Sequence, residues 1–159
     1  MKNNWHFLIC LFLGLTTATA QDTYFQQALS VDISVQLDDQ KHQLQGWWSM
    51  DYENNSPDTL EFIYLHLWPN AYQNKNTAFA QQMLRSGDTE FYFSPEKDLG
   101  LIDSLNFTSA GESLRAEPNS WGPDVIQLWL NEPLPPKTTV RIESPFRLQF
   151  PASFSRLGH

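Results

Sequence analysis

Histidine, cysteine, serine and carboxylate side chains carry most protein-borne catalysis, and this chain offers them sparsely. Its four histidines are His6, His42, His66 and His159. None is followed by glutamate, so the H-E-x-x-H helix, with two zinc ligands and a general base on one face, does not occur. The lone cysteine, Cys10, lies in the first apolar run. No G-x-S-x-G turn presents a serine nucleophile, and the seven glycines are scattered singly rather than gathered into a phosphate-binding loop. Two carboxylates suffice for glycoside hydrolysis, and Asp38-Asp39 and Glu96 with Asp98 are the available pairs. Both fall in turn-like sequence and read as solvated surface acids.

His66 has two readings, a ligand or base, or a histidine hydrogen-bonded at a sheet face or domain contact. Large aromatics can also bind sugars. Trp48 falls in a core row, so a stacking platform would come from Trp47 or Trp121. Asn54-Asn55-Ser56 and Asn106-Phe107-Thr108 match the N-glycosylation pattern.

The elements that position these residues are mostly strands. Leu29, Val31, Ile33, Val35 and Leu37 alternate with Ser30, Asp32, Ser34 and Gln36, the period of a strand with one buried face. Asp38-Asp39-Gln40 turns the chain into a second strand with Leu44, Gly46, Trp48, Met50 and Tyr52 in one row. Gly46 there marks a bulge or a close backbone approach. Leu60 to Trp68 is apolar on both faces, which predicts a strand central in its sheet or covered by another domain. Residues 70–99 read as an excursion, with Thr77 capping a short helix and Gly87 stopping it. Strand patterns resume over Leu101–Ser109, Ser113–Glu117, Asp124–Leu130 and Thr138–Ser144, the last resuming after Pro145. The expected fold is mostly β, an antiparallel sandwich or saddle of about seven or more strands with one short helical excursion.

Composition bounds the function. The 159 residues carry a formal charge of -8, and aromatic residues make up 14% of them. Such an acidic chain lacks the basic footprint of a nucleic-acid binder. Lys2, the apolar run Phe7 to Leu15 and Ala18-Thr19-Ala20 read as an export signal over residues 1–20, leaving residues 21–159 as an N-terminal β domain expected to be incomplete at its C-terminal end, since Ser153 to His159 offers no closing strand. The apolar run is too short to span a bilayer, so no membrane span is expected after cleavage, and the location is secreted or periplasmic. The exported chain holds no cysteine and hence no disulfide.

At Asn54 to Gln82 the sequence NNSPDTLEFIYLHLWPNAYQNKNTAFAQQ resembles the N-terminal domain of secreted aminopeptidase N-family zinc metallopeptidases, of the branch found in Bacteroidetes-type bacteria. YFQQALSVDISVQLDDQKHQLQG looks like that domain's first hairpin, and PLPPKTTVRIESPFRLQFP like its later strands. Leu65 to Tyr72 is the most specific piece. The resemblance implies a β-saddle domain packed on a thermolysin-like catalytic domain that binds zinc and hydrolyses peptides. The H-E-x-x-H helix and the Gly-x-Met-Glu-Asn-type strand of that domain are not in this sequence, so no catalytic or metal residue is carried over. Zinc belongs to the catalytic domain, and this chain is expected to hold no cofactor. The expected partners are a downstream catalytic domain and, through it, a peptide substrate. Candidate contact residues are His66, Trp68, Asn70 and Tyr72. A stand-alone secreted β-sandwich that binds carbohydrate or protein, and an adhesion module, are the competing readings. N-terminal sequencing of exported material should begin at Gln21; an intact Met1 on it would contradict the export reading.

Overall fold

The computed structural model describes residues 24–159. The segment read as an export signal, residues 1–20 with His6 and Cys10, lies outside them. The described chain is mostly β, in two antiparallel sheets. The strands are β1 (Ala28–Asp38), β2 (Gln43–Glu53), β3 (Leu60–His66), β4 (Leu101–Asp103), β5 (Thr108–Ser109), β6 (Glu112–Ser113), β7 (Arg115–Asn119), β8 (Gly122–Leu134) and β9 (Thr139–Gln149). The larger sheet runs β1-β2-β9-β5-β6, with β4 also on β9, and the smaller runs β3-β8-β7.

Register decides which side chains share a face. Directly opposed residues of an antiparallel pair point the same way. Val31 faces Met50, which faces Ile142; Ile33 faces Trp48, which faces Ser144. One face of the larger sheet is therefore apolar across three strands. The smaller sheet lies on it and buries Met50 and Ile142 against Ile63, Leu128, Phe107 and Leu114, with Trp48, Tyr52, Leu65 and Ile126 at the margins. The opposite face is polar. There Arg141 donates to Asp51, Glu143 and Ser49, and Arg147 grips Asp103 with two nitrogens. Hydrogen bonds from Arg147 hold the Asp103 carboxyl below its usual range. Its contribution to stability is therefore present above the ordinary carboxylate range and fades as pH falls through the lowered folded value.

Three sequence expectations change. β1 does not bury its apolar row: Leu29, Val31, Ile33, Val35 and Leu37 are all exposed, because the smaller sheet does not extend over this edge strand. β3 is an edge strand rather than a central one. β9 runs unbroken through Pro145. The proline is tolerated because it falls between β9's two short neighbours, β5 at Glu143 and β4 from Arg147 onward. Gly46 fulfils the close-approach reading, since a Cβ there would lie 2.3 Å from the Ser34 carbonyl oxygen.

The excursion carries its own small core. The helix α1 (Ala78–Arg85) starts at Thr77, whose Oγ1 accepts from the Ala80 amide at 3.2 Å, and ends at Gly87, whose φ is +85°. Its Phe79 packs with Tyr72 and with Phe91 of the one-turn helix α2 (Glu90–Phe93), while Phe154 meets Phe91 edge-on at 4.9 Å. Phe91 is fully buried.

Among the described residues the chain crosses between the sheets four times, at β2–β3, β3–β4, β6–β7 and β8–β9, and Asn54 joins the first and the last of these crossings. Its amide donates to the Thr138 carbonyl and its carbonyl accepts from the Lys137 amide. The Asn54 Nδ2 donates to the carbonyls of Asp58 and Leu134, at 2.8 and 2.9 Å, and Oδ1 accepts from the amide and hydroxyl of Ser56. Asn54 has no exposed surface, so as a sequon its side chain is closed to a glycosyl donor in the folded state. Asn54→Ala strands buried carbonyls and should cost about 3 kcal/mol in denaturant unfolding. Asn54→Asp, which has no Nδ2 protons to donate, should also destabilise. Ile33→Thr, on the uncovered row, should stay within about 0.5 kcal/mol of the parent when both are unfolded at a dilution where the chain is monomeric.

Candidate functional site

The pleat of β3 separates its side chains. Ile63 and Leu65 point to the core, so Phe62, Tyr64 and His66 point outward. Pairing extends this outward row across the smaller sheet. Phe62 faces Trp129, which faces Arg115; Tyr64 faces Gln127, which faces Glu117; His66 faces Val125. The loop before β8 adds Trp121, whose amide donates to Asn119 Oδ1 at 2.9 Å. The chain leaving β3 enters a 3-10 turn (Trp68–Tyr72) with Pro69 near its start, which sets Trp68 beside His66.

The result is a nearly continuous aromatic face. Ring centroids lie 5.0 Å apart for Phe62 and Trp129, 5.3 Å for Phe62 and Tyr64, 5.1 Å for Tyr64 and Trp121, and 4.0 Å for His66 and Trp68. Trp68 and Trp121 keep 68% and 67% of their surface in solvent, far above ordinary core or rim tryptophans. One end is pinned by charge. Arg115 lies 4.6 Å over the Trp129 ring and donates to Glu117, whose other oxygen accepts from the Trp129 indole at 3.0 Å. At the other end the His66 Nε2 lies 3.8 Å from Asp124, beyond hydrogen-bond length. Flat apolar rings rimmed by hydrogen-bonding groups are the makings of a contact surface rather than of a reaction centre.

The four candidate residues therefore divide. His66 and Trp68 stand on this face. Asn70 turns inward, accepting from the Ile102 amide at 2.9 Å and donating to the Pro123 carbonyl at 3.3 Å. It ties the 3-10 turn to β4 and to the start of β8. Tyr72 belongs to the excursion's core. Of the two candidate platform residues, Trp121 joins the aromatic face, whereas Trp47 projects half-exposed from the polar face of the larger sheet. His42 sits in the β1–β2 turn with its ring stacked 3.6 Å from that of His159. Asp38 binds Lys41 through both carboxylate oxygens, and the Lys41 hydrogen bonds hold its carboxyl below the usual range. Arg115, Glu117, Asp124 and Gln127 are the members of the face that sequence reasoning did not single out. The period-two pattern of Arg115 and Glu117 was there to find, but their meeting with Trp129 depends on a register that no local signal fixes.

Among the described residues no group of three or more His, Cys, Asp or Glu side chains comes together to hold a metal ion. No helix among them is long and apolar enough to cross a membrane. No protein-family model matches the chain. No curated protein matches it either.

Because both rings stand in solvent, Trp68→Ala and Trp121→Ala should each leave the unfolding free energy within about 0.5 kcal/mol of the parent. Leu128→Ala, directly beneath in the core, should cost about 3 kcal/mol. A loss of that size at Trp68 or Trp121 would mean that the rings pack inside the domain.

Proposed function

We propose that this chain is the non-catalytic N-terminal scaffold of an exported zinc metallopeptidase of the aminopeptidase N type, and that its aromatic face seats the catalytic domain. The observation that carries the reading is the outward cluster of Tyr64, His66, Trp68 and Trp121 around the segment of most specific resemblance, Leu65 to Tyr72. Contiguous exposed aromatic surface of this kind marks interfaces on globular proteins. In this role the domain supplies one wall of the peptide cleft and leaves zinc binding, water activation and peptide hydrolysis to its partner domain. The setting is secreted or periplasmic.

A second reading draws on the same rings. Trp121 and Tyr64, tilted and exposed at one end of the sheet, are of the type that stacks on sugar rings, which would suit a stand-alone carbohydrate-binding module.

The coding sequence beyond His159 separates the two. Continuation into an H-E-x-x-H motif is expected, and the longer chain should hydrolyse aminoacyl-anilides in a zinc-dependent way while the 159-residue chain does not. In the longer chain, Trp68→Ala combined with Trp121→Ala should loosen the domains, seen as a faster proteolytic cut between them. A stop codon at this point, together with retention of the short chain on a polysaccharide column and its loss in Trp121→Ala, would overturn the scaffold reading in favour of the second.

A further inference from the structure

β1 combines two features that a finished sheet seldom leaves together. Among the described residues it pairs only with β2, so the backbone groups along its other side have no strand beside them. Its apolar row also stays in solvent, from 49% exposed at Val31 to 63% at Ile33. Long apolar edges of this kind are templates for another strand, and most proteins blunt them.

The sequence of the row says which strand fits. Leu29, Val31, Ile33, Val35 and Leu37 read the same in both directions. An antiparallel pairing centred on Ile33 would set Leu29 against Leu37, Val31 against Val35 and Ile33 against its own copy, all on the core face. On the opposite face Ser30 meets Gln36 and Asp32 meets Ser34, so no like charges oppose. Neighbouring registers are worse. A one-residue slip sends the two apolar rows to opposite faces of the joined sheet. A two-residue slip toward the N-terminus opposes Asp32 with Asp32, and one toward the C-terminus sets Leu29 against Asp39. From this we infer that the occupant of the β1 edge is a second copy of this chain, joined by isologous antiparallel pairing about Ile33. The two larger sheets become one, with a two-fold axis through the Ile33 pair and the two smaller sheets flanking a doubled apolar row. The surface used is distinct from the aromatic face, so the inference stands or falls separately from the function proposed above.

The register makes a sharp test. Single cysteines are placed at Leu29, Val31, Ile33 and Val35 of residues 21–159, which hold no other cysteine, and mild oxidant is added at micromolar protein concentration. Ile33→Cys should link two copies rapidly, because directly opposed β-carbons sit about 5 Å apart. Leu29→Cys, Val31→Cys and Val35→Cys should lag at least about tenfold, since each faces a different residue; Val31→Cys combined with Val35→Cys should restore linking. Sedimentation of the unsubstituted chain should show a reversible dimer, and Ile33→Lys, which sets two ammonium groups side by side, should give a monomer with an unchanged circular dichroism spectrum. A monomeric parent, or equal linking from all positions, would overturn the inference and leave the row to another domain or to non-specific contact.

Discussion

A sheet of three strands cannot cover a sheet of six, and the character of this domain depends on where the cover stops. The smaller sheet lies over β2 and β9, where Met50 and Ile142 meet Leu128 and Ile63, and it leaves β1 bare. Burial of that central patch is the dominant favourable term available to a chain without disulfides. Everything beyond the patch is held by hydrogen bonds or by small satellite contacts. Arg141 and Arg147 organise the polar face, and the excursion stabilises itself through Tyr72, Phe79 and Phe91.

The position of the cover is fixed in large part at two of the crossings between the sheets, β2–β3 and β8–β9. Asn54 holds them together with both its backbone and its side chain, and it is satisfied on every polar atom although wholly buried. A buried amide that bonds two separate loops stabilises only one arrangement of them, because any other leaves its donors unpaired. Asn70 performs the equivalent service at the far end, bonding the turn after β3 to β4 and to Pro123. Two asparagines thus set the offset that leaves β1 bare, while the aromatic row is exposed because it lies on the outer face of the smaller sheet.

Local chemistry was legible in the sequence where it acts locally. The mostly β antiparallel class, the Thr77 cap, the Gly87 stop and the close approach at Gly46 all follow from short-range rules, and the structure shows each. What escaped depends on strand order. Period-two alternation says that a strand has an apolar face but not that anything covers it, so β1 reads as half-buried when it is exposed. The doubly apolar run of β3 reads as a central strand, yet it lies at an edge with its outer row in solvent. At the candidate site, His66 and Trp68 could be picked out by type, but Asn70 and Tyr72, their near neighbours in sequence, turn inward because the chain bends into a 3-10 turn at Pro69.

The two uncovered surfaces ask for different partners. The aromatic row suits a large, shaped surface such as a neighbouring domain, whereas the β1 edge asks for another strand of matching period. The bare β1 follows from the coverage claim, and that claim is open to a direct measurement. Residue-resolved amide hydrogen exchange, run on residues 21–159 at a dilution where sedimentation shows only monomer, reads the protection of each strand. The account predicts slowest exchange at Met50 and Ile142, and in β1 an alternation in which every second amide exchanges orders of magnitude faster than its neighbours. Uniform protection along Ala28–Asp38, equal to that of β9, would contradict it.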